Sequence, residues 1–445
     1  MRNKSLIKSL ILTGILTTFI PAHSAAPMQT AREVFPLTKI PFNQQRPLPT
    51  EQLSEKSWAD LKAKILNDFS DRLSGEFKVS DGLRERAEFW FDIYTRYGEA
   101  HHVIHHMRFP WIVFEVVDAT DLVLHSKGPL WLRRERGDKL AKKRIVEIRT
   151  ALVNLSRKKN YEKLPRLEQK LFEVLAKVPG ARKQAFKFAA ENLRSQLGQR
   201  DFFERGLVNS SKYLTYMEEE FHKAGLPTEL TRMPFVESSF NEAAYSKVGA
   251  SGIWQIMPKT GKSYMIVNDH IDERNSPLKA TAAAARLLRF YNRTLGSWPL
   301  AITAYNNGIG NIKKAIKSAQ SKELDVIIER YHKNDFRFAS SNFYTCFLAA
   351  LYAEKYHELL FESIQREPLR KREEVRLAQK TKVRRLPQIM GVSHEELLSY
   401  NLDLQSAFKT GAVVPAGYRL HLPLNMKKNS SQRVGRQDPK GKPKS

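Results

Sequence analysis
The chain has 445 residues, with 74 Lys and Arg against 47 Asp and Glu, for a formal net charge of +27. Hydrophobic residues at 42% and charged residues at 27% supply packed cores and exclude wholesale disorder, and at roughly 100–200 residues per domain the length implies several domains. A single cysteine, Cys346, excludes an intramolecular disulfide framework and a Cys-rich zinc site.

Residues 1–24 read as an export signal: Arg2, Lys4 and Lys8 open it, residues 10–20 are largely apolar, and small residues surround Ala22-His23-Ser24. The apolar run is shorter than the about 20 residues a bilayer span requires, and no later stretch is long enough. Membrane contact is therefore expected to be peripheral. With no cysteine near the signal, the expected product is an exported periplasmic or envelope protein, not a lipoprotein. Export changes the reading of the charge: cell-wall carboxylates and anionic envelope surfaces become the expected polyanions, and nucleic acid an unlikely one.

Residues 25–50 hold several prolines and little periodicity, an extended lead-in. From 51 to 200, apolar residues recur at three- and four-residue spacing among Lys, Arg and Glu, which predicts a helical N-terminal region. Within it, His101, His102, His105 and His106 form two i, i+4 pairs, a spacing that can bind zinc on a helix. No Glu lies in the required place between them, and no metal or other cofactor is assigned. Arg108-Phe109-Pro110-Trp111 reads as a packing hinge.

The block 201–355 is richer in Gly, Asn and aromatics. A helix over about 211–223 precedes Gly225, which can adopt a left-handed cap. Pro227 and Thr228 start another, in which Leu230, Met233, Pro234 and Glu237 fall at i, i+3, i+4 and i+7. Glu237 then shares an apolar face in the last turn, where desolvation and the negative end of the helix dipole both raise its pKa, as a general acid requires. On this pattern alone the plainer reading is an ordinary exposed glutamate at a helix end. Pro234 is expected to remove one ladder hydrogen bond and kink the turn. Further on, Ser276 and Pro277 form an N-cap and N1 pair for a helix through residues 282–285.

Around Glu237 the chain reads Glu237-Ser238, then Ser246, then Gly249-Ala250-Ser251-Gly252-Ile253-Trp254-Gln255-Ile256-Met257-Pro258, then Ala304-Tyr305-Asn306-Asn307-Gly308. In order and spacing this set resembles the soluble lytic transglycosylases, goose-lysozyme-like enzymes that cleave the glycan of bacterial peptidoglycan. The resemblance implies a mainly α, lysozyme-like catalytic domain, peptidoglycan glycan strands as partner, and Glu237 as the only catalytic acid and base. It also implies that Ser246, Gln255, Met257, Tyr305 and Asn306 line the cleft. No second acid stands in the three motifs, whereas glycosidases usually pair two carboxylates. That fits attack by the sugar's own 6-hydroxyl, which needs no bound water and leaves a 1,6-anhydromuramic end. A lysozyme-type hydrolase, or a noncatalytic wall- or polyanion-binding protein of the same fold, are the alternatives.

The family's later tyrosine motif departs from its usual form here. The stretch is Ser341-Asn342-Phe343-Tyr344-Thr345, which places Phe343 at the tyrosine position and moves Tyr344 about 100° around a helix. Tyr344 is kept as a candidate cleft residue. Beyond it, 356–379 reads as a charged linker and 380–424 as a small α+β module resembling LysM, a βααβ unit that lacks the usual Gly-Asp-Thr opening. Glycan binding or a spacer role are both open for it. Residues 425–445 form a basic tail, expected to be a disordered solvated arm.

Overall fold
The computed structural model describes residues 53–176, 182–333, 336–361 and 364–424; the expected signal, lead-in and basic tail lie outside the described residues. The described chain is mainly helical. Helix α1 (Glu55–Leu66) starts at Ser54, whose hydroxyl accepts from the Ser57 amide at 3.1 Å. Its Trp58 donates to Asp92 at 2.8 Å, which joins α1 to α2 (Arg84–Thr95).

The N-terminal region is not all helix. Strands β1 (His101–His106), β2 (Val113–Asp118) and β3 (Leu193–Leu197) form an antiparallel sheet in the order β2-β1-β3. Helices α3 (Leu130–Arg157), α4 (Arg166–Leu175) and α5 (Arg182–Glu191) pack with it around Ile104, Phe114, Ile148, Leu152, Leu171 and Phe186. Five of the six β1 residues are buried, so the strand lacks the polar alternation that would announce it. This also corrects the histidine spacing. On a strand, positions i and i+4 lie about 13 Å apart, so the pairs are not brought together. His105 is fully buried beside Phe89, with ring centroids 4.7 Å apart, and burial pushes its pKa down to about 3. It is a neutral core histidine. Arg108, Phe109, Pro110 and Trp111 make the turn between β1 and β2, with the Phe109 and Trp111 rings 5.6 Å apart.

The central block follows as α6 (Arg200–Ser210), α7 (Leu214–Lys223), a 3-10 turn (Thr228–Arg232), α8 (Met233–Ser238), α9 (Pro258–Lys262), α10 (Pro277–Leu295), α11 (Trp298–Asn307), α12 (Ile309–Ala319), α13 (Leu324–Arg330) and α14 (Phe338–Lys355). Helix α14 is buried on nearly all sides from Ser340 to Glu354, and α1, α2, α8 and α11 pack around it. One apolar cluster runs from Trp58 to Phe361 through all of them, so the N-terminal helices and the central block share a core. Pro277 occupies the first turn of α10, but Ser276 makes no side-chain cap bond.

After the short α15 (His357–Leu360), β4 (Arg372–Arg376) falls inside the span read as linker. It pairs antiparallel with the last strand, β7 (Arg419–Pro423), and its charged composition reflects a two-stranded sheet with exposed positions. Between them come β5 (Thr381–Lys382), α16 (Leu386–Met390), α17 (His394–Tyr400), α18 (Gln405–Thr410) and β6 (Val413–Val414), with β5 paired to β6. Leu386, Leu397, Leu404, Val414, Leu420 and Leu422 form their core.

Candidate active site
The site is built on the junction between a 3-10 turn and α8. Pro234 sits in the first turn of α8, where its missing N–H falls among the groups without an intrahelical partner, so α8 loses no ladder bond, and the helix changes from 3-10 to α just before it. Ser239 and Phe240 then take left-handed backbone conformations (φ 51° and 54°), and the chain reverses directly after Glu237. Glu237 is 8% exposed, not an ordinary surface glutamate, and among the described residues no donor hydrogen-bonds its carboxyl. Burial alone pushes its pKa from 4.5 up to about 8, with no neighbouring carboxylate contributing. The carboxyl therefore holds its proton at neutral pH.

The second motif folds against this turn. Ser238 Oγ donates to the Ile253 carbonyl at 2.9 Å, which ties Glu237's neighbour to the 249–257 loop. Gly252 has φ 72°, and a β-carbon there would lie 2.0 Å from the Arg274 carbonyl oxygen, so only glycine fits. Gly252→Ala is expected to cost at least about 2 kcal/mol from strain and clash together, read as a fall in thermal midpoint with parallel loss of function. Gln255, also at positive φ (46°), donates its side-chain amide to the Ala244 and Gly252 carbonyls at 3.2 and 2.8 Å. Its amide oxygen is left as the group a ligand could use. Ser246 Oγ accepts from the Ala250 amide at 2.8 Å and so closes its own loop. Trp254 is a core residue, stacked on Phe221 and donating to Thr281 at 2.9 Å, whereas Met257 is 41% exposed.

The third motif closes the group from α11. Tyr305 donates its hydroxyl to the Trp254 carbonyl at 2.7 Å and does not bond to Glu237; burial first, and then Glu237 once it is ionised, raises the pKa of the phenol. Asn306 Oδ1 accepts from Ser340 on α14 at 3.0 Å. The structure thus joins Ser238, next to Glu237, with Gln255 and Tyr305 through bonds to one loop and ties Asn306 to α14. Tyr344 is buried on α14 with its ring centroid 6.3 Å from Phe347, and among the described residues it bonds to none of the motif residues.

Two contributors went unseen in the sequence. Tyr94 of α2 is buried, and burial first, then Cys346 and least of all Glu237, raises its pKa; its ring lies 5.5 Å from Phe203, itself 4.7 Å from Phe235 on α8, so it packs behind the helix that carries Glu237. Arg274 donates to the Gly249 and Ile256 carbonyls at 2.6 and 2.9 Å and holds both ends of the second motif. Neither carries a local signal, because each reaches the site only through the tertiary fold.

A buried, proton-bearing carboxyl flanked by a glycine-rich loop and a tyrosine–asparagine helix end defines a class. Residues 216–328 match the Transglycosylase SLT domain family, which supports the resemblance of this segment to the lysozyme-like lytic transglycosylases. Among relatives, the membrane-bound lytic murein transglycosylase D of Escherichia coli (strain K12) is 32% identical over 139 residues, 30% of this chain and 31% of that protein. A protein of Alteromonas sp. (strain M-1) described as "Putative tributyltin chloride resistance protein" is 35% identical over 124 residues, 27% of this chain and 60% of that protein. The similarity to the first thus spans about a third of its length.

Proposed function
We propose that the protein is a peptidoglycan lytic transglycosylase that cleaves the β-1,4 bond between N-acetylmuramic acid and N-acetylglucosamine. The observation that carries this reading is Glu237: buried, protonated at neutral pH by desolvation, and set against the glycine-rich loop with no second carboxylate acting on it. Its proton goes to the glycosidic oxygen as the C1–O bond breaks, while the substrate's acetamido oxygen assists at C1. The 6-hydroxyl of the same sugar then attacks C1 and returns its proton to the Glu237 carboxylate. The nucleophile is already tethered, which lowers the entropic barrier. Ser246, Gln255, Met257, Tyr305, Asn306 and Tyr344 are assigned to the cleft around it.

The same reading places the protein in the cell envelope after export, with its basic surface drawn to anionic wall and membrane groups. The β4–β7 unit, with α16 and α17 between its outer strands, is read as a LysM-like module. Among the described residues no helix is long and apolar enough to cross a membrane.

Digestion of isolated peptidoglycan in isotopically labelled water tests the chemistry. Transglycosylation predicts products ending in 1,6-anhydromuramic acid with no label incorporated. Labelled reducing ends would make the protein a hydrolase, and no products at all would make it a binding protein.

A further inference from the structure
The C-terminal module touches the catalytic block through a buried, charged contact. Asp403, in the 3-10 turn Leu402–Leu404, is 2% exposed. Its carboxylate accepts from Lys279 Nζ at 2.6 Å and from the Tyr418 hydroxyl, and its backbone carbonyl accepts from the Asp272 amide at 3.1 Å. Lys279, on α10, also pairs with Glu273 at 3.1 Å and lies 3.7 Å from the Tyr418 ring centroid. Ile271 and Ile266 pack into the module's own apolar core. Residues 266–276 therefore belong to the catalytic block by sequence and to the module by packing.

That segment then grips the second motif. The Asp272 carboxylate takes Arg274 in a two-pronged bond at 2.9 and 2.7 Å, and Arg274 in turn donates to the Gly249 and Ile256 carbonyls. Ser251 donates to Asn275 at 2.6 Å. From the loop so held, the Ile253 carbonyl reaches Ser238 beside Glu237 and the Trp254 carbonyl reaches Tyr305. A module that only tethers an enzyme to polymer needs a mobile, polar contact with its neighbour. A buried Asp–Lys pair, with Lys279 and Tyr418 both on Asp403 Oδ2 and Oδ1 left without a hydrogen-bond partner among the described residues, instead favours one geometry, because displacing either partner would strand more of the buried charge.

We propose that Asp403 is a positioning residue for the Glu237 site, and that the module from β4 to β7 is a built-in wall of the catalytic unit, acting through Asp272, Lys279 and Arg274 on the 249–257 loop. The proposal rests on the reading of Glu237 as the acid only for its effect on turnover.

The full chain carrying Asp403→Asn provides the test. Asn keeps the volume, and Lys279 keeps Glu273. Amide hydrogen exchange is expected to rise in residues 249–257 and 266–276, and kcat on a short soluble glycan oligosaccharide to fall roughly ten- to hundredfold with KM within about twofold. A short oligosaccharide gives a polymer-binding module nothing to hold, so a tethering role predicts no change in kcat. Tyr418→Phe, which keeps the Asp403–Lys279 pair, is expected to shift both readouts the same way by less, and it carries the test if Asp403→Asn does not fold. Exchange changes confined to residues 371–424 with unchanged kcat would overturn the proposal. Exchange reads the coupling independently of catalysis, so a wild type that cleaves no glycan rejects the function and leaves the coupling to be judged by exchange alone.

Discussion
Replacing Glu237 by glutamine is expected to leave the fold and glycan binding intact and to lower turnover of peptidoglycan by about 10²–10⁴-fold, or more because one group performs both proton transfers. Glutamine fills the same space in the buried turn after α8 but has no acidic proton to give. The check is kcat on isolated peptidoglycan with binding measured in parallel, and activity within tenfold of wild type would reject the assignment. The wild-type rate is expected to fall as pH rises through about 8, where the buried acid loses its proton. Stability carries the same signature. The folded carboxyl keeps its proton up to about pH 8 while the unfolded one releases it near 4.5, so wild-type stability declines as pH rises between those values and is level above. Glutamine has no such loss. At about 1.4 kcal/mol per pKa unit, the variant is expected to gain a few kcal/mol over wild type by pH 8 to 9, measured by denaturant unfolding across pH.

A second large effect is expected one turn earlier. Arg232, 3% exposed, donates to the buried Glu354 of α14 at 2.9 Å and also pairs with Glu218 on α7. It thereby clamps the turn that launches α8 onto the central helix. Arg232→Met removes one partner and strands the Glu354 carboxylate, at a cost of about 3–5 kcal/mol. The double change Arg232→Met with Glu354→Met replaces the pair by apolar volume and is expected to recover most of that loss, since desolvating two charges offsets much of their attraction. Thermal unfolding of the two variants side by side distinguishes these cases. Equal destabilisation of single and double variants would mean that Arg232 acts by shape and not by its charge.

Local chemistry made part of this molecule legible. The i, i+3, i+4, i+7 run from Leu230 to Glu237 placed that carboxyl on an apolar face, and its burial follows from that face meeting α14. The glycine at 252 and the bond-forming residues at 238, 255 and 305 sit in short motifs whose spacing reflects one loop and one helix end. Where pairing partners are distant in the chain, the sequence was silent or misleading. β1 is covered on both faces, so His101 to His106 shows no alternation and its spacing imitates a helix. β4 is a charged edge that becomes a strand only because β7 returns beside it.

By itself, then, the sequence determined the motifs, the apolar face beneath Glu237 and the glycine-dependent turn, because each depends on contacts within a few residues. Only the tertiary structure decided that Tyr94 packs behind the helix of Glu237, that Ser246 is spent on its own loop, and that Asp403 meets Asp272, which holds Arg274, from another part of the chain. Those outcomes follow from which surfaces meet when the cores close. Burial and charge pairing at such meetings depend on three-dimensional neighbours that no local pattern encodes.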